Sequence, residues 1–243
     1  MGFWTALRFL TILPVPFRRE TDDVALGKSL TYFPLVGLML GVILLGLHYG
    51  LSVFLPASVV TALVITALVV LTGAHHLDGF MDTCDGITAG KSREERLAIM
   101  SDSKVGAFGI AGAVLLILLK YISLSAAPVF ASLLLMPTLS RWAMVSAIFT
   151  FPYARATGMG SVFKQGANWQ RLILSTVVTL LIAIVLLKWW APALLASLWL
   201  IIFIVARYFR SRLGGLVGDV YGAINEISEV LVLLLVIIIG RLS

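Results

Sequence analysis

A chain of 243 residues that is 60% hydrophobic and only 12% charged, with a mean hydropathy of +1.05, lies far from the roughly half-apolar, quarter-charged balance of a soluble domain. Its net charge of +6 comes from basic residues scattered between apolar runs, with no basic stripe or aromatic stacking platform, which argues against nucleic-acid binding. The apolar residues come in long runs and not in short alternating segments, so a β-barrel is excluded; the expectation is an all-α, polytopic transmembrane bundle forming one integral membrane domain over 1–243.

In chain order, Met1 to Pro16 is interrupted by Arg8 and ends in Pro14 and Pro16, without the ordered basic, apolar and small-residue parts of a cleaved signal peptide. Its stretch Phe9 to Pro16, FLTILPVP, reads either as an interfacial anchor or as a re-entrant element that helps build a pocket. Crossing a bilayer takes about 20 mostly apolar residues. Candidates fall near 33–55, 57–75, 106–127, 128–149, 172–190, 191–208 and 226–240, about seven spans. Pro56, Pro128 and Pro192 mark tight junctions between neighbouring spans, where proline bounds a helix without losing an internal hydrogen bond. Trp189 and Trp190 read as an interfacial anchor. The other connections, 1–32, 76–105, 150–171 and 209–225, hold nearly all the charge, including Arg8, Arg18, Arg19, Lys28, Arg155 and Arg212. By the positive-inside tendency, the N-terminus and these loops face the cytoplasm from a multi-pass position in the cell inner membrane. The single cysteine, Cys84, rules out an intramolecular disulfide and reads as a packing residue.

The densest chemistry lies in the acidic loop 76–105. Asp78, Asp82 and Asp85 are spaced i, i+4 and i+7, so on a helix they fall within about 60° of one another along about 10 Å. Like charges that close favour either a shared cation or bound protons, and all-oxygen donors suit Mg2+ or Mn2+; a solvated acidic helix end is the alternative. His75 and His76 next to them are metal ligands or a hydrogen-bonded interfacial pair.

A second acidic segment, 214–229, carries Asp219, Glu226 and Glu229 on one helical stripe with Asn225 among them. Acids entering an apolar span suggest function, although acids at a helix start are also favoured by its dipole. Gly214, Gly215, Gly218 and Gly222 allow close helix approach or leave amides open to a phosphate. Cationic partners for an anionic substrate are Lys104 after Asp102 and Ser103, Arg141 inside an apolar span after Ser140, and Lys164 after Gly158, Gly160 and Phe163. At the depth of Arg141 a guanidinium meets either phosphate oxygens or a buried aspartate.

Along nearly its whole length the chain resembles the cobalamin synthase family, the adenosylcobinamide-GDP ribazoletransferases. The motifs that carry the resemblance are FLTILPVP at 9–16, FPLVG at 33–37, HLDGFMDTCDG at 76–86, DSKVGAFG at 102–109, Ser140 with Arg141, Gly158 to Phe163, and Gly214 to Glu229. The resemblance implies transfer of a substituted phosphate group. A hydroxyl of α-ribazole, or of its 5'-phosphate, would attack the diphosphate of adenosylcobinamide-GDP and expel GMP. Asp82, Asp85, Gly86 and Ala89 also resemble the start of the CDP-alcohol phosphotransferase pattern DxxDGxxAR, with Gly90 in place of its arginine. The later glycine and paired aspartates of that pattern are missing, so only the metal-binding pair carries over.

On this reading Asp78, Asp82 and Asp85 hold one or two Mg2+ ions (or Mn2+), and Asp219 and Glu226 complete the metal set. The catalytic set is Asp102, Asp82 and Asp85, with Asp102 as acceptor of the hydroxyl proton and Asp82 and Asp85 acting through the metal. His76, Ser103, Lys104, Arg141, Gly158, Gly160, Lys164, Asn225 and Glu229 form the substrate and phosphate set. Two other classes stay open: a cation-coupled transporter, whose acids carry ions, and a CDP-alcohol-type phosphatidyltransferase with a lipid alcohol as acceptor. Whether the chain forms a homo-oligomer is not legible in its composition.

Overall fold

A computed structural model describes residues 2–16, 23–155 and 157–242, so Arg18 and Arg19 lie outside the described residues. Among these residues the chain is all-α, with no strand beyond an isolated bridge between Tyr153 and Leu216. Helices α1 (Gly2–Leu10) and α2 (Asp23–Ser29) precede α3 (Phe33–Ser52), and α4 (Ala57–Leu71) follows the turn at Pro56. Next come α5 (His75–Ala89), α6 (Arg93–Ile99) and α7 (Ala107–Ala126). Pro128 caps α8 (Val129–Thr150), which leads to α9 (Met159–Gly166) and α10 (Trp169–Leu187). A 3-10 turn at Lys188–Trp190 leads to α11 (Ala191–Leu213), with proline in its first turn, and α12 (Gly218–Leu242) follows. The three proline junctions therefore stand where the sequence puts them.

Five helical runs are long and apolar enough to cross a membrane: Asp23–Ser52, Ala107–Ala126, Val129–Thr150, Trp169–Leu213 and Gly218–Leu242. A sixth is reached by counting α4 with α5, which meet at 88°. The count differs from the expected seven for two reasons. The expected spans at 172–190 and 191–208 belong to one helical run of 45 residues, broken where Lys188 takes φ 52°. And α4 has only 15 residues, about 22 Å of rise. Its bend into α5 uses two successive left-handed residues, Gly73 (φ 62°) and Ala74 (φ 56°); the alanine costs about 1–2 kcal/mol there.

The acidic stretch 76–105, read from the sequence as a loop, is mostly helical, formed by α5 and α6. Ser92 starts α6 by accepting the Glu95 amide at 3.1 Å, a side-chain cap of the kind that satisfies an open helix end.

Helix α8 is the centre of the bundle. Every residue from Ser132 to Ile148 is buried, as expected of a helix enclosed on all sides by others. Helix α3 packs tightly on it through Gly37 and Gly41, where a Cβ would collide with the α8 backbone at Pro137 and at Leu133; small residues four apart permit that approach. Outward, α7, α10 and α11 present exposed apolar side chains such as Val114, Leu118, Val185 and Ile204, the surface a lipid environment requires. The N-terminal FLTILPVP stretch lies against this bundle, with the Ile12 amide bonded to the Leu71 carbonyl at 2.8 Å.

Candidate active site

Helices α5 and α12 touch through glycine. A Cβ on Gly79 would lie 2.9 Å from the Asp219 Cα, and one on Gly222 would lie 3.1 Å from the His76 carbonyl oxygen. The absent side chains let Asp78 and Asp82 on α5 come beside Asp219 at the start of α12. Asp78, Asp219 and Asp85 all act electrostatically on Asp82, and Arg155 offsets them. Asp219 Oδ2 is buried with no hydrogen-bond partner, and its nearest cation is Arg155 Nη2 at 3.8 Å. The same guanidinium nitrogen donates to Ser101 Oγ at 2.9 Å and to the Leu97 carbonyl at 3.2 Å, which ties this group to the end of α6.

A cavity of about 240 Å3 opens beside these acids. His75, Asp78 and Asp219 line one part, and Phe9, Phe33 and Phe163 line another. Of the two readings of the N-terminal stretch, pocket building therefore applies to Phe9 itself. His75 Nδ1 is bonded to the Gly73 carbonyl at 2.8 Å, so the left-handed turn that starts α5 also orients this ring.

Asp85 departs from the expected common face. Its Oδ2 accepts the Gly106 amide at 2.7 Å and its Oδ1 the Gly109 amide at 2.8 Å. The carboxylate thereby satisfies amides at the open start of α7. A Cβ on Gly109 would sit 2.5 Å from Asp85 Oδ2, and one on Gly106 would collide with Oδ1, which explains both glycines of the DSKVGAFG stretch. Asp85 lies about 10 Å along α5 from Asp78, where its carboxylate meets the start of α7 and not the start of α12 that lies against Gly79.

Glu226 and Glu229 also lie elsewhere than with the aspartates. Lys120 Nζ, in the middle of α7, donates to Glu226 Oε2 and Glu229 Oε2, both at 2.5 Å. Arg141, 0% exposed, pairs with Glu229 Oε1 and bonds Ser140 Oγ. Its partner is a glutamate and not the aspartate considered from the sequence. Asn225 Nδ2 adds a bond to Glu229 Oε1 at 3.1 Å. The four charges sum to zero, which is how buried ions are tolerated. His76 lines the cavity, with its Nδ1 buried and without a hydrogen-bond partner.

The remaining expected residues are dispersed. Asp102, Ser103 and Lys104 are exposed on the turn between α6 and α7, outside the cavity lining, where Asp102 Oδ1 accepts the Lys104 amide at 3.1 Å. Lys164 Nζ donates to the Ile148 and Phe149 carbonyls at 3.0 and 2.7 Å, the last-turn acceptors of α8; burial lowers its pKa. Gly160 lines the cavity. Gly158, at φ 119°, precedes α9. Tyr153 packs against that turn, where a Cβ on Gly160 would collide with its ring and one on Gly158 would lie 3.0 Å from its hydroxyl, and burial raises its pKa.

Among the described residues no group of three or more His, Cys, Asp or Glu side chains converges closely enough to hold a metal ion. Sequence reasoning passed over Lys120, Tyr153 and the part Arg155 plays beside Asp219. Lys120 carried a legible signal, an ammonium in the middle of an apolar span. Tyr153 carried none.

Fold and site define a multi-pass α-helical membrane protein with an acid-rimmed cavity at one end of its bundle. Its sequence matches the family described as cobalamin-5-phosphate synthase over residues 2–237. It is 38% identical to the adenosylcobinamide-GDP ribazoletransferase of Geotalea daltonii over 98% of this chain and 97% of that one. The proteins of the same description from Roseiflexus sp. (38%, 94% of this chain and 86% of that one) and Desulforamulus reducens (37%, 96% and 94%) are similarly alike. The chain belongs to the cobalamin-5-phosphate synthase family, and with it to the transferases of cobalamin biosynthesis. No solved structure matches it.

Proposed function

We propose that the chain joins adenosylcobinamide-GDP to α-ribazole or its 5'-phosphate at this cavity, releasing GMP. A ribose hydroxyl forms a new oxygen–phosphorus bond at the phosphorus that carries cobinamide. The bond from that phosphorus to the bridging oxygen breaks, GMP leaves with that oxygen, and the hydroxyl proton passes to a protein base. The observation that carries this reading is the meeting of Asp78, Asp82 and Asp219 beside a largely apolar cavity, in a chain of this family.

The donor chemistry fits Mg2+ or Mn2+. Mg2+ commonly takes one or two carboxylates and completes its shell with waters and substrate phosphates, so a closed cage of three protein ligands is not needed. Asp78 and Asp82 would hold the ion. When bound, it would supply charge neutralisation at the diphosphate.

Asp219 is our candidate for the proton acceptor in place of Asp102, because its Oδ2 is buried without a hydrogen-bond partner and it lines the cavity. Arg155 would steady the diphosphate oxygens. Asp102, Ser103 and Lys104 would close over the substrate from the turn that Asp85 anchors, with Lys104 adding positive charge. Arg141, Asn225, Glu226 and Glu229 serve by locking α7, α8 and α12 together below the site. Gly160 and His76 line it, while Gly158 and Lys164 hold the turn and the helix that carry Gly160.

Seven crossings follow if α4 and α10 each traverse the bilayer and α11 returns after the break at Lys188. The charged connections, and with them the site, then face the cytoplasm from the inner membrane. All the residues invoked come from one chain and one domain, 1–243, so a second copy is not required. A cation-coupled transporter is disfavoured because its candidate acids, Glu226 and Glu229, are already neutralised by Lys120 and Arg141.

Detergent-solubilised protein supplied with Mg2+, adenosylcobinamide-GDP and α-ribazole should release GMP, and a chelator should stop it. Absence of GMP at every divalent-ion concentration, or GMP formed only with a lipid alcohol, overturns the reading.

A further inference from the structure

We propose that the aromatic end of the cavity, formed by Phe9, Phe33 and Phe163, is the seat of the flat benzimidazole base of α-ribazole, and that it excludes the guanine of the other substrate. This rests on the transfer reaction proposed above. Three elements distant in sequence bring the rings together: α1, the start of α3, and α9. Phe9 and Phe163 lie 4.6 Å apart between ring centroids, Phe33 and Phe163 5.6 Å, and Phe9 and Phe33 6.0 Å. Met144 and Ile148 of α8 line the same cavity.

Size and polarity choose the occupant. About 240 Å3 is below the roughly 300–1,000 Å3 of drug-sized pockets. It suits a two-ring heterocycle and not a corrinoid macrocycle. Benzimidazole within a nucleoside has one bare ring nitrogen and otherwise apolar edges. Guanine carries a carbonyl and several N–H groups, and burying these among phenylalanine rings without partners is costly. The single acceptor of benzimidazole has a candidate counterpart: Tyr221 lines the cavity, and its hydroxyl is buried without a hydrogen-bond partner. With the base against this wall of rings, the attached ribose lies toward Asp78 and Asp219, where its hydroxyl must react.

The test is calorimetric binding of α-ribazole and of guanosine to the detergent-solubilised full chain, a measurement that needs no turnover. The wild type should bind α-ribazole and show no heat with guanosine. Phe163→Ala should weaken α-ribazole by about five- to a hundredfold, the usual effect of removing an aromatic ring from under a base. Tyr221→Phe should weaken it by roughly fivefold. Phe163→Leu keeps an apolar filler and serves if the alanine variant does not fold; it should fall between the wild type and alanine. Guanosine binding that is lost in these variants, or α-ribazole affinity unchanged in Phe163→Leu and Tyr221→Phe, overturns the assignment. GMP release by the wild type is scored separately. Its absence counts against the reaction, whereas GMP release with the wrong binding pattern counts against this seat alone.

Discussion

Replacing Lys120 with methionine tests whether the interior charges act as one neutral unit. Among the described residues Lys120 Nζ is the only side chain paired with Glu226, at 2.5 Å, while Glu229 also has Arg141 and Asn225. Lys120→Met therefore strands one carboxylate, Glu226, and leaves the group with a net charge of −1. Removing one member of a buried pair costs about 3–5 kcal/mol. At about 2–4 °C per kcal/mol for a chain of this size, the melting temperature should fall by roughly 6–20 °C. The double variant Lys120→Met with Glu226→Gln removes the stranded charge and restores neutrality, so it should regain most of that loss. Thermal unfolding of the three proteins in one detergent, followed by tryptophan fluorescence or by retention of the monodisperse peak, reads the effect. A double variant as unstable as the single one, or a single variant as stable as the wild type, would refute the charge-pairing account.

Asp219→Asn should lower kcat by roughly 10²–10⁴, the usual contribution of a positioned proton acceptor, with thermal stability close to wild type; unchanged GMP release would remove Asp219 from that role. Asp85→Ala should cost about 1–3 kcal/mol by leaving the Gly106 and Gly109 amides unmet, and hydrogen exchange should quicken at 106–109. Full loss of activity with exchange at those amides unchanged would instead make Asp85 a metal or substrate ligand. Gly79→Val should separate α5 from α12 at Asp219, destabilising the chain by about 1–3 kcal/mol and lowering turnover; a stable and active variant would contradict the close helix approach.

Much of the architecture is legible from local pattern. Long apolar runs place the helices, and Pro56, Pro128 and Pro192 mark where they begin. The i, i+4 spacing of Asp78 and Asp82 puts both on one side of α5. The resemblance carried by HLDGFMDTCDG and DSKVGAFG leads to the same family that the full-length comparison shows. Helicity between 76 and 105 was harder to see, because the low apolar content of α5 and α6 resembles that of a loop.

What a residue meets across the bundle is a different kind of information. Asp85 and Gly109 are 24 positions apart, and Arg141 and Glu229 are 88. Periodicity tells which side of a helix a group occupies but not which helix will cover that side. Only the tertiary structure turns Asp85 toward α7, pairs Lys120 and Arg141 with the two glutamates, and gathers Phe9, Phe33 and Phe163 into one wall. Apolar patterning decides that these segments are helices in lipid because each helix satisfies its own backbone hydrogen bonds. Their partners are settled by side-chain packing and by the need to neutralise every buried charge, and both are properties of the assembled bundle.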